Sequence, residues 1–356
     1  MPLRRPSVIR SGVLYLTLLI PFALAGCAND LPQSTLSPHT ESATLTYRLF
    51  EPIFWMAVVV FVVVEALLVY SAFRFRAHGN VKGLPEQMHG NTPLEIGWTI
   101  APAIILGIIF LMTAQTLAAV STPPVGGKEI NVNVFGHQWW WEFQNPDLKG
   151  PDGKPLVTAS DMHVPTNTTV KYTLQSVDVI HSFWVPQLNG KTDLIPGHIN
   201  HGFFNAPAPG EFLGQCAEFC GAEHAQMRFK VFMDTDADFQ AWVKNQQSLP
   251  AAPTGLAAQG AELFAKSACI GCHAIAGTKA VGLVGPNLTH FGSRTTIAAG
   301  ALPNTPENLS KWLHNPEAVK PGNDMSVAMA NMMADNWGPD TEKNISLMIA
   351  YLTSLK

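Results

Sequence analysis

A chain of 356 residues with a net charge of −4 and only 13% charged residues has a mean hydropathy of +0.13, too apolar for a wholly soluble protein of more than one domain. Lys and Arg form no long run that could track a phosphate backbone, which argues against nucleic acid as a partner. The cysteines, at 27, 216, 220, 269 and 272, fall as one single and two close pairs, a pattern of dedicated chemistry rather than of a disulfide framework.

The first segment reads as a targeting signal. Arg4, Arg5 and Arg10 precede an apolar stretch from Val13 to Leu24, the order of a secretory signal and too short to span a bilayer, so residues 1–26 are expected to be removed. The stretch closes on Leu24-Ala25-Gly26-Cys27, which resembles the bacterial lipobox and implies lipidation of Cys27; the competing reading is an ordinary buried cysteine. Residues 27–121 then contain two stretches able to span a membrane, Pro52 to Phe73, broken only by Glu65, and the uncharged Ile96 to Val120. They predict a transmembrane hairpin of about 50–73 and 96–120. The link carries Arg74, Arg76, His78 and Lys82, which places it in the cytoplasm and both outer ends outside a bacterial cell membrane. A charge at bilayer depth costs on the order of 2.5–3.5 kcal/mol, so Glu65 is expected to face water or a protein neighbour, which implies a partner subunit.

From Glu129 to Trp242 the period changes. Ile130-Asn131-Val132-Asn133-Val134 and Val170-Lys171-Tyr172-Thr173-Leu174 alternate apolar and polar, and Pro and Gly fill the connections, which predicts an antiparallel all-β sandwich or barrel over residues 122–245. A linker is expected at 246–254 and an all-α domain at 255–356. Its helices are read at Leu256 to Lys266 and Asp340 to Leu355, the latter with Asp340 as N-cap and a stripe of Ile345, Met348, Ile349 and Leu352.

The densest cluster of ligand types is Cys216-Ala-Glu-Phe-Cys220-Gly-Ala-Glu-His224-Ala-Gln-Met227. Thiolates, imidazole and thioether in one short run suit copper better than magnesium or calcium. His181, on the strand-rich part of the same domain, can supply a second imidazole. Two readings compete, a Cys216–Cys220 disulfide and a structural zinc on two Cys and two His. Zinc does not need Met227, and neither reading accounts for Trp139, Trp140 and Trp141 nearby. Three adjacent residues on a strand cannot all face inward, so at least one of these is expected to be exposed. A blue copper site uses one Cys, whereas two thiolates can bridge a copper pair that shares one electron.

With Gly136-His-Gln-Trp139-Trp-Trp141-Glu142 and Lys191-Thr-Asp193-Leu-Ile-Pro-Gly197, this run resembles the CuA domain of haem-copper oxidase subunit II, from about Tyr47 to Trp242. The resemblance implies a cupredoxin-like fold and two copper ions held by the side chains of His181, Cys216, Cys220, His224 and Met227 and by the backbone carbonyl of Glu218. It further implies that the Glu218 side chain approaches a magnesium ion at the subunit I boundary. Electrons would enter from a cytochrome c at Trp139, with Asp178 helping to dock the donor. Leu94-Glu95-Ile-Gly-Trp98 resembles the start of the family's second membrane helix, which implies that Glu95 lies at the mouth of a proton path. The competing reading of Glu95 is a helix-start carboxylate that complements the dipole.

Cys269-Ile-Gly-Cys272-His273 is the attachment pattern of a c-type haem, with two thioethers to the porphyrin and His273 on the iron; a redox disulfide or half of a zinc site could use the same Cys pair. Gly260-Ala-Glu-Leu-Phe264, Gly285-Pro-Asn-Leu288 and the closing helix resemble class I cytochrome c across residues 255–356. His/Met ligation suits an electron carrier. Lys320-Pro-Gly-Asn-Asp-Met325 resembles the family's ligand loop and favours Met325, although Ser326 stands where a Pro often follows; Met329, Met332 and Met333 remain open.

The resemblance implies the subunit of a respiratory cytochrome c oxidase through which electrons enter, by way of its own haem c and CuA, on their way to the oxygen-reducing site of subunit I, with subunit III as a further partner. No cluster in this chain could itself reduce oxygen. A stand-alone periplasmic redox carrier needs one anchor rather than a hairpin, and a copper-delivery protein needs no haem. Subunit II of a CuA-containing nitric oxide reductase remains an alternative. A quinol oxidase subunit would lack the copper ligands present here.

Overall fold

The computed structural model describes residues 31–76, 83 and 87–356; Cys27, the expected signal segment and the link residues His78 and Lys82 lie outside them. Among the described residues two helices are long and apolar enough to cross a membrane, α1 (Glu41–Arg74) and α2 (Thr92–Ser121), and they lie against each other. Thr40 caps α1 by accepting from Ala43 N, with Glu41 in the first turn and Arg74 in the last complementing the dipole.

Helix α1 starts earlier than its apolar run. At 34 residues it rises about 51 Å, well beyond a hydrocarbon core of about 30 Å. The extra turns are anchored on the β domain: His39 N donates to Gln187 O at 2.9 Å, Thr40 Oγ1 donates to Leu188 O, and Ser42 and Ala43 are buried. Further along, the apolar side chains of α1 and α2, Phe61 and Phe110 among them, point outward, as a lipid-facing or partner-facing surface must. Glu65 is exposed among them.

The β domain is a sandwich of two five-stranded sheets, β3-β2-β1-β5-β8 and β4-β10-β9-β6-β7. Its strands are β1 (Lys128–His137), β2 (Trp140–Lys149), β3 (Pro155–Ala159), β4 (Asp161–Pro165), β5 (Thr168–Ser176), β6 (His181–Trp184), β7 (Thr192–Leu194), β8 (Asn200–Ala206), β9 (Gly210–Cys216) and β10 (Arg228–Asp234). The alternation seen in the sequence sets the faces: Ile130, Val132 and Val134 of β1 point inward, as do Val170, Tyr172 and Leu174 of β5. Pairing departs from a purely antiparallel sheet, because β1 runs parallel to β5 and β4 parallel to β10. Trp141, Phe143, Phe183 and Phe229 form the centre, with ring centroids 4.8 Å apart for Phe183 and Phe229. This centre carries β6 and β9, which pair Phe183 with Cys216. Helix α3 (Asp236–Gln247) follows.

The C-terminal domain is helical: α4 (Leu256–Lys266), α5 (Cys269–Cys272), α6 (Pro306–His314), α7 (Pro316–Val319), α8 (Asp324–Asn331) and α9 (Thr341–Ser354). A two-residue ladder, Thr296–Ile297 with Leu302–Pro303, is its only strand pairing among the described residues beyond a single bridge. Helices α4 and α9 cross at Gly260, where a Cβ would lie 2.1 Å from Leu347 O, so the close approach requires glycine. Ile345, Met348 and Leu352 of α9 fill the core with Phe264. Asp340 precedes α9 but makes no side-chain cap; instead Thr341 Oγ1 donates to Gly338 O at 2.7 Å.

Candidate metal and haem centres

The first centre forms where β6, the end of β9 and the following turn meet. His181 opens β6 fully buried, and its place depends on β1: a Cβ on Gly136 would lie 2.7 Å from the His181 Cδ2. Cys216 closes β9, where its N–H donates to Met227 O at 3.0 Å, folding the run back on itself. Cys216 Sγ lies 3.8 Å from Cys220 Sγ, 3.9 Å from His181 Nδ1 and 3.2 Å from the Glu218 carbonyl oxygen. Cys220 Sγ is 3.7 Å from His224 Nδ1 and 3.8 Å from Met227 Sδ. The ligand atoms of His181, Cys216 and Cys220 all lie within 4.8 Å of one another. The two cysteines are not disulfide-bonded.

Proton positions in this cluster suit a cation. The hydrogen bond between the two sulfurs lets the pair share one proton, which lowers the Cys216 pKa and raises that of Cys220. One thiolate is therefore ready for a metal and one proton must leave on binding. His181 Nε2 pairs with Asp178 Oδ1 at 2.7 Å, which leaves Nδ1 facing the sulfurs. Burial opposes protonation of His181, but Asp178 and Cys216 outweigh it and raise the pKa. Asp178 also accepts from Val179 N at 2.7 Å and Gln138 N at 2.6 Å. Its carboxylate thus orients a ligand ring, a role that the sequence signals only through its spacing three residues before His181. Asp178→Asn is expected to weaken copper retention about 10- to 100-fold, measured by chelator competition. Unchanged retention would mean that packing against Gly136 alone orients the ring.

Outside the cluster, Glu218 carries an exposed carboxylate 3.6 Å from Lys191 Nζ, so the two sequence motifs meet there. Glu95 Oε1 accepts from Asn91 N at 3.2 Å at the start of α2, and Asn91 Oδ1 accepts from Leu94 N, a reciprocal cap of the helix end.

The second centre surrounds a cavity in the helical domain. Cys269 and Cys272 line it from α5 and His273 from just after it, Met325, Met329 and Met332 from α8 and the turn after it, and Arg294 from the intervening segment. Cys269 and Cys272 are likewise free of disulfide. His273 Nδ1 donates to Pro286 O at 2.8 Å, which leaves Nε2 as the free lone pair, and burial lowers the ring's pKa so that it stays neutral. Gly285 keeps the space beside that ring open, since a Cβ would lie 2.6 Å from His273 Cε1. Asn323 caps α8 by accepting from Ser326 N at 3.1 Å. The N–H of Ser326, which a proline would lack, thus anchors the turn that presents Met325. Met333 does not line the cavity.

None of the three adjacent tryptophans is exposed, against the expectation from strand alternation. Trp141 enters the β core. Trp140 faces the other way but is covered by Ala159 and by Ala299 of the helical domain. Trp139 sits between β1 and β2, half-buried, with its indole N–H donating to Cys220 O at 3.0 Å; it also lines the cavity of the helical domain. Arg294, whose burial pushes its pKa down to about 10, carries no sequence signal beyond being a single cation, whereas Lys320 on the same wall opens the loop that leads to Met325.

Comparison with known proteins follows the same division. Family models match in three places: "Cytochrome C oxidase subunit II, transmembrane domain" at residues 29–115, "Cytochrome C oxidase subunit II, periplasmic domain" at 130–233 and "Cytochrome c" at 257–356. The cytochrome c oxidase subunit 2 of Alkalihalophilus pseudofirmus is 36% identical over 94% of this chain and 94% of its own length. The chain belongs to the cytochrome c oxidase subunit II family. The subunit 2 of Bacillus sp. strain PS3 is 38% identical over 95% of both chains. The solved periplasmic domain of subunit II from Bradyrhizobium japonicum is 31% identical over 35% of this chain and 96% of that one, with a TM-score of 0.32. Membership makes this subunit II a component of a respiratory oxidoreductase, a membrane protein whose hairpin carries a cupredoxin-like β domain and a helical cytochrome c domain. The family domains imply copper and haem binding, and the donors around Cys216 and around His273 fit those groups.

Proposed function

We propose that this subunit takes electrons from a cytochrome c and delivers them, by way of its own covalent haem c and a binuclear CuA centre, to the oxygen-reducing haem-copper site of subunit I, where water formation is coupled to proton translocation. The observation that carries this reading is the place of Trp139, bonded through its indole N–H to Cys220 O and lining the cavity of Cys269, Cys272 and His273. When bound, the haem and the copper pair supply one-electron chemistry at low geometric cost, and the chain's own residues do the positioning.

On this reading His181, Cys216, Cys220, His224, Met227 and the Glu218 carbonyl hold two copper ions. Asp178 and Gly136 fix His181, and the buried sulfurs exclude water from the centre. Cys269 and Cys272 tether the haem, His273 offers Nε2 to the iron and Met325 is the sixth ligand. Glu218 approaches a magnesium ion shared with subunit I, and Glu95 marks the start of a proton path. Subunit III is a further partner, and the apolar faces of α1 and α2, with Glu65 among them, pack on the other subunits or lipid. The β and cytochrome domains lie outside the cell membrane, the link between the helices lies in the cytoplasm, and Cys27 becomes lipidated after removal of residues 1–26.

The direct test is metal and haem per chain in the purified full-length subunit within its complex, by mass spectrometry and haem staining after denaturation. Two coppers and one covalent haem per subunit II, beyond the metals of subunit I, are expected. A single copper, zinc, or haem that is lost on denaturation would overturn the corresponding half.

A further inference from the structure

The β and cytochrome domains meet in more than a tether. Arg228 N donates to Ala299 O at 3.0 Å across the boundary, Thr295 N donates to Asp161 Oδ2 at 3.4 Å, and Trp140, Ala159 and Ala299 form a small buried apolar cluster. Lys320, from the loop that leads to Met325, is 4% exposed, and its ammonium donates to the Trp139 carbonyl oxygen at 2.8 Å. Glu223, across the boundary, favours the charged form of Lys320; it is 2% exposed and its Oε2 has no hydrogen-bond partner. A cation this deep, held by one carbonyl and with no carboxylate in ion-pair contact, is costly unless the contact around it is kept closed.

From this geometry, and resting on the haem and copper reading above, we propose that Lys320 is the positioning residue that docks the cytochrome domain on the copper domain with its haem cavity facing Trp139. The fused domain then occupies the surface at which the copper domain takes electrons. With haem on Cys269, Cys272 and His273 and copper on the Cys216 to Met227 run, this orientation would bring the two one-electron centres together on either side of Trp139. Fusion supplies proximity through the linker; Lys320 supplies orientation, which a flexible linker cannot.

The test uses the assembled oxidase and two variants that attack different parts of the contact. Lys320→Met keeps the apolar stem and removes the donor; Ala299→Asp places a charge in the cluster with Trp140 and leaves Lys320 intact. Hydrogen exchange at Arg228 N and Thr295 N is expected to be slow in the parent and faster in both variants. Haem-to-copper transfer after flash reduction of the haem is expected to slow at least about tenfold, with haem and near-infrared copper spectra unchanged. Fast exchange in the parent, or exchange unaltered in both variants, would overturn the docking. Faster exchange with an unaltered transfer rate would overturn the positioning role. Protected amides in a parent that lacks covalent haem or copper would sink the reading of the centres and leave the docking contact standing.

Discussion

Cys216→Ser is expected to strip the copper from this subunit and leave its haem in place. Cys216 is 4% exposed at the end of β9, and its contact with the Cys220 sulfur lowers its pKa and favours the thiolate. Serine fits the same space but does not ionise there and is a hard oxygen donor, so both the charge and the softness that favour copper are lost. The fold survives, because the β core is closed by Trp141, Phe183 and Phe229 without that sulfur. The cost is that of a small polar change, about 1–2 kcal/mol. The haem is kept because Cys269, Cys272 and His273 belong to a separate core. Copper per chain, the near-infrared band and oxygen uptake should all fall together, while the haem absorption persists. Two coppers retained in the variant would sink the assignment. Copper loading of the parent should also release a proton from Cys220, whose thiol the pair holds protonated.

What the sequence conveyed depended on whether the signal was local. The period of Ile130 to Val134 is a property of one strand, and it set that strand's faces correctly. The run from Cys216 to Met227 is short enough that a strand end and one turn bring its sulfurs and imidazole within 4 Å of a neighbour, so spacing alone made the cluster readable. Features that depend on a second element were not readable. The turns of α1 before the apolar run are helical because Thr40, Ser42 and Ala43 dock on the β domain, and nothing in Glu41 to Glu51 taken alone requires that. Parallel pairing of β1 with β5 is a matter of sheet order, which alternation does not encode. Trp140 alternates to the outer face as the strand period demands, yet the cytochrome domain covers that face. Asp178, which the resemblance offers only as an aid to donor docking, shows its hold on His181 once the ring is placed beside it.

Met325→Ala is expected to change the haem iron without releasing the haem, and it separates one methionine from its neighbours. Met325 lies in the first turn of α8, half-buried and on the cavity wall, presented by a loop that Asn323 clamps through the Ser326 N–H and the Pro316 carbonyl. Met329 and Met332 also reach the cavity, but they are fully inside the core beside Leu309 and Ile345, where their sulfurs already serve as packing. Removing the thioether at 325 should take away the ligand that raises the potential. The reduction potential is expected to fall on the order of 0.1 V, with an altered visible spectrum and intact thioether links to Cys269 and Cys272. Met329→Ala should do the opposite, leaving the spectrum alone and costing about 2–5 kcal/mol of cytochrome-domain stability as a core truncation. Spectra and potentiometry of both variants decide between them. An unaltered haem in Met325→Ala, paired with a changed one in Met329→Ala, would move the ligand one helical turn along α8, and the clamp at Asn323 would then serve only to close the loop.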